Sequence, residues 1–127
     1  MASEANAGTY HTVTPYLIVR GAGDPLDFLA RALGARKVRC EQRPDGSIAH
    51  AEVSIGDSIV MVGEPADAMR PMPTSLYLAV DDVDVTDERA MHAGAPSLGA
   101  SKDQPYGRGA GVEDAGGNIW WITEVRP

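Results

Sequence analysis

The chain repeats itself once, and that repeat limits its architecture more than any other feature. TPYLIV, ending at Val19, is followed by RGAGDPLDFLARALGA, and TSLYLAV, beginning at Thr74, is followed by DDVDVTDERAMHAGA. Tyr16-Leu17-Ile18-Val19 lies over Tyr77-Leu78-Ala79-Val80 at an offset of 61 residues. GDSIVMV, from Gly56, lies over GGNIWWI, from Gly116, at an offset of 60. Each copy reads as a strand, a helix and then further strands, β-α-β-β-β. A unit this long, present only twice, does not make a solenoid; duplication inside one domain explains it better.

Local signals fill in the elements. Asp24 is placed as an N-cap with Pro25 at the first helical position, Leu26, Leu29 and Leu33 form one helical stripe, and Gly34 is the stop. In the second copy Asp84 is the expected N-cap, the helix runs through Met91, and Gly94 ends it. The extra strand of each copy is weakly marked, near Val38–Arg43 and near Ser97–Ser101. RPDGS, Arg43 to Ser47, is a turn of the Asp-Gly kind. A two-residue turn at Gly56-Asp57 would set Ser54 opposite Ile59 and Glu52 opposite Met61, so that His50, Glu52 and Ser54 share one face. EPADAMRPMPT, with three prolines, reads as the linker. The resulting division is a disordered lead over 1–10 and a single domain over 11–127, with module 1 at about 11–65, a linker at 65–73 and module 2 at about 74–127.

Charge and cysteine content narrow the class. A formal net charge of -7 without a Lys/Arg-rich run argues against a nucleic-acid partner. No apolar run approaches the roughly 18 residues of a membrane span, and MASEANAGTY has no basic or apolar signal regions. The single cysteine, Cys40, rules out an internal disulfide and a thiolate zinc cluster, and reads as a plain strand residue. A cytoplasmic protein is expected.

The pattern TPYL, then DGxIxHAExxIGDSxVM, then GxxxxxEDxxGNxWWI resembles the vicinal oxygen chelate superfamily, which includes glyoxalase I, extradiol dioxygenases, fosfomycin-resistance enzymes and bleomycin-binding proteins. Its PhnB-like branch is the most similar. The resemblance covers about His11 to Glu124 and implies an α+β fold. In that fold two paired β-α-β-β-β modules form a curved, cup-shaped mixed sheet with helices on the outside and the site on the concave face. It also implies four metal-ligand positions, one on the first and one on the last strand of each module. Here these fall on Thr14, Met61, Ser75 and Trp121. Divalent metals in such sites want imidazole nitrogen and carboxylate oxygen, which those four residues do not supply, so neither metal nor another cofactor is expected.

The adjacent tryptophans must point to opposite faces of a strand. Trp121, at a former ligand position, is expected in the cup and Trp120 in the core. With Tyr16, Met61 and Tyr77 it would line an apolar, π-rich cup suited to a planar aromatic ligand. His50 and Glu52 would supply the polar part, as a ligand-binding or acid–base pair. Tyr106 and Arg108, in the glycine-rich KDQPYGRGAG stretch, could reach over it; that stretch is a poor phosphate cradle and reads as a lid or strand bend. His11 and His92 read as surface residues. The first reading is therefore a metal-free homodimeric protein that binds a small aromatic molecule, of the antibiotic-sequestering type. The alternatives are an enzyme, a lyase or isomerase using Glu52 and His50 or a recruited metal, and a regulatory or scaffold dimer without a ligand.

Overall fold

The duplication is written into the strand order. In the computed structural model, which describes residues 10–66 and 70–125, module 1 comprises β1 (Tyr16–Ile18), α1 (Gly23–Leu33), β2 (Arg36–Gln42), β3 (Ile48–Ile55) and β4 (Ser58–Gly63). Module 2 comprises β5 (Ser75–Ala79), α2 (Val83–His92), β6 (Lys102–Gln104), β7 (Gly107–Glu113) and β8 (Ile119–Val125). The first forms a sheet of order β1-β4-β3-β2 and the second a sheet of order β5-β8-β7-β6. In both, the first strand lies parallel to the last and the other pairs are antiparallel. The fold is the expected α+β arrangement of two β-α-β-β-β units. Of the expected lead only Tyr10 is described, and linker positions 67–69 lie outside the described residues.

Period-two alternation gives each sheet a face toward the helices and an open face. Leu17, Val53, Val62, Val112, Trp120 and Ile122 take the helix side and are buried. They join Phe28, Leu29 and Ala32 of α1 and Val83 and Ala90 of α2 in one cluster shared by both modules. The buried stripe of α1 is thus carried by Phe28 and Ala32 beside Leu29, while Leu26 and Leu33 are only partly buried at its edge. The modules also meet where the Gly116 backbone backs onto a side chain: a side-chain carbon on Gly116 would fall 2.6 Å from Val19 Cγ1, so the turn before β8 can sit against the residue following β1 only as glycine.

Several boundaries differ from the sequence reading. Helix α1 begins at Gly23, after Ala22, with no side-chain cap, and Asp24 sits within its first turn, where a negative charge still suits the helix dipole. Helix α2 is capped by Asp82, whose carboxylate accepts from Val85 N at 3.2 Å. Asp84 is occupied elsewhere, accepting from Ser101 Oγ and Arg108. The strand expected near Ser97–Ser101 makes only a bridge from Ser97 to Val112, and β6 proper follows at Lys102–Gln104. There Gln104 pairs with Gly107 across a Pro105-Tyr106 turn, so KDQPYGRGAG is a hairpin.

Candidate functional site

The β3–β4 hairpin has the anticipated register. Ile55 pairs with Ser58, Ser54 with Ile59 and Glu52 with Met61, and β1 adds Tyr16 beside Met61. The open face of the first sheet therefore carries Tyr16, His50, Glu52 and Met61 together, with Arg39 and Glu41 of β2 opposite Glu52 and His50. Glu52 is only 3% exposed. One of its oxygens lies 2.8 Å from His50 Nε2, and the other accepts a hydrogen bond from the Tyr10 hydroxyl. His50 Nδ1 lies 3.4 Å from the Tyr16 hydroxyl, and the two rings meet edge to face at 5.5 Å. Burial pushes the Glu52 carboxyl up, but the hydrogen bonds from Tyr10 and His50 and the nearby charge of Arg39 outweigh it and hold it below its ordinary value. The same bond to Glu52 pushes the Tyr10 phenol up.

The open face of the second sheet is aromatic. Tyr77 pairs with Trp121, and Trp121 pairs with Gly111. A side-chain carbon on Gly111 would lie 2.8 Å from Trp121 Cζ3, so the indole lies down over a position that must have no side chain. Its Nε1 donates to Ser75 Oγ at 2.7 Å. Trp121 is thus pinned across the sheet yet 46% exposed, whereas Trp120 is 2% exposed and donates to Asp114 Oδ2 at 2.9 Å. A hollow of about 610 Å³ opens above Trp121, walled by Tyr77, Leu98, Tyr106, Lys102, Gln104 and Thr123. A second hollow, of about 600 Å³, lies where β5 passes residues 55–60 and the segment before β1.

The candidate residues thus fall into two sets, on sheets that share no strand pairing. Tyr16, His50, Glu52 and Met61 occupy one open face; Tyr77, Tyr106 and Trp121 line the hollow on the other. Arg108 belongs to neither. It alternates with Gly107 and Gly109 to the helix side of β7, where Asp84 binds its guanidinium at 3.1 Å, and does not reach over the cup. Sequence reasoning missed Tyr10, which no local pattern marks.

A sequence model described as the Glyoxalase/Bleomycin resistance protein/Dioxygenase superfamily matches residues 10–122. The chain belongs to this superfamily. It is 32% identical over 124 residues to the protein Rv0887c of Mycobacterium tuberculosis (strain ATCC 25618 / H37Rv), an alignment covering 88% of this chain and 73% of that protein. Among solved structures it is similar to TioX from Micromonospora sp. ML1, with a TM-score of 0.76 and 28% identity, covering 91% of this chain and 99% of that one. It shares the fold of TnmS3, an antibiotic binding protein from Streptomyces sp. CB03234, with a TM-score of 0.73 and 23% identity, covering 91% and 96%. At the four positions where the resemblance implies metal ligands, the residues here do not fit a metal. Ser75 Oγ and the Trp121 indole N–H are bonded to each other, Met61 offers a thioether and Thr14 a hydroxyl. Among the described residues, no group of three or more His, Cys, Asp or Glu gathers to replace them.

Proposed function

We propose that this protein is a cytoplasmic small-molecule binding protein that sequesters a planar aromatic ligand, such as an aromatic antibiotic, without a catalytic metal. The observation carrying this reading is the Trp121 indole, laid over Gly111 and fixed by Ser75 at the floor of an open apolar hollow. A flat ligand stacking there meets a ring that is already ordered, so little side-chain freedom is lost on binding. Wild-type protein should bind at least one member of a panel of planar aromatic antibiotics with quenching of tryptophan fluorescence, and Trp121→Ala should weaken that binding about tenfold. A panel that leaves the fluorescence and calorimetric baseline unchanged would overturn the reading.

The working unit is a homodimer. One chain holds a polar half-site around Glu52 and an aromatic half-site around Trp121 on separate sheets, each sheet ending in an unpaired edge strand. Juxtaposing the first sheet of one protomer with the second of its partner completes two equivalent cups and covers both edges. Light scattering at micromolar concentration should return about twice the 13.4 kDa chain mass; a monomer mass would remove the dimer.

A further inference from the structure

We infer that the Glu52–His50 pair is a receptor for an aromatic hydroxyl group, and that Tyr10 occupies it as an internal stand-in that such a ligand displaces. The inference rests on the aromatic-ligand reading and specifies which aromatic molecules fit. The site is built, not superficial: Glu52 is almost wholly buried, His50 fixes one of its oxygens, Met61 pairs with it on β4, and Tyr16 on β1 lies against His50. Its other oxygen faces a phenol, and that phenol belongs to a residue 42 positions away in sequence. A carboxylate with one oxygen held by imidazole still accepts an O–H donor at the other, and the bond to a charged acceptor is stronger than one between neutral partners.

The occupant lies outside the strands. Residues 10–15 form no strand, and Val13 within them is 80% exposed. The phenol of Tyr10 therefore docks without a sheet ladder behind it, and its departure breaks no strand pairing. A ligand carrying an aromatic hydroxyl reproduces the same donor and the same ring, and exchanges one hydrogen bond for an equivalent one. A ligand of the same shape without the donor leaves Glu52 short of a partner, which disfavours exchange.

The test is calorimetric titration of the full chain with 2-naphthol and with 2-methoxynaphthalene, which share a ring system and differ in the hydroxyl donor. Tyr10→Ala should tighten 2-naphthol binding about tenfold while changing 2-methoxynaphthalene much less. Adding Glu52→Leu to that variant, which removes the acceptor, should erase most of the preference for the naphthol. Equal affinities for the two probes in Tyr10→Ala, or a preference that survives Glu52→Leu, would overturn this inference while leaving aromatic binding intact. Failure of both probes to bind any variant would overturn it together with the reading on which it rests.

Discussion

Asp114→Ala is expected to leave the protein unfolded or barely folded at 37 °C. The carboxylate is 4% exposed and organises the turn between β7 and β8. Its Oδ1 accepts from Gly116 N at 2.8 Å and Asn118 N at 3.0 Å, and its Oδ2 accepts from Trp120 Nε1 at 2.9 Å, with the Asn118 amide shared between the oxygens. Alanine would orphan all of these donors where water reaches few of them. Each buried donor left unpaired costs about 1–3 kcal/mol, and a whole domain is stable by only about 5–15 kcal/mol. Asp114→Asn separates the parts of the hub. It keeps an acceptor for the turn but can set an amide N–H against the indole N–H, so its loss should be intermediate. Urea denaturation of both variants measures this. An Asp114→Ala midpoint close to wild type would mean that the hub does not support the fold.

Trp120→Ala should cost about 3–5 kcal/mol, the range for emptying a core aromatic site, whereas Trp121→Ala should change stability by about 1 kcal/mol or less. The neighbours differ only in which side of β8 they occupy. Trp120 fills the cluster shared by both modules, so its removal leaves a void that Val112, Ile122 and the α2 side chains cannot close without shifting. Trp121 packs on glycine and faces the hollow. Parallel thermal melts decide the matter. A low melting temperature for Trp121→Ala with a wild-type melt for Trp120→Ala would reverse the two roles.

What the sequence made legible follows from how short the range of each signal is. Strand alternation and the Gly56-Asp57 turn act over a few residues, and they were enough to place Glu52 against Met61 and to divide Trp120 from Trp121. The repeat extended that reading to whole modules. Helix starts were less legible: nothing local separates Asp82 from Asp84 as the cap of α2, and in the fold Asp84 is bonded to Arg108 while Asp82 caps; α1 starts with no side-chain cap at all. Arg108 lies off the expected face because KDQPYGRGAG, expected as a lid or strand bend, is a hairpin, and the alternation along Gly107–Glu113 sends its guanidinium to the helix side. The Tyr10–Glu52 bond had no signal at all, since it joins an unpatterned segment to a strand far along the chain.

Strand β8 sets its two jobs back to back. Inward, Trp120 and Ile122 answer to the core; outward, Trp121, with Tyr77 and Ser75 beside it on β5, faces the hollow. Substitutions on the outward side leave the packed side in place, where most of the folding free energy resides. On the proposed function, a lineage carrying this strand can therefore wander through ligand preferences by small, separately viable steps, each one testing a new molecule without first having to rescue a collapsing protein.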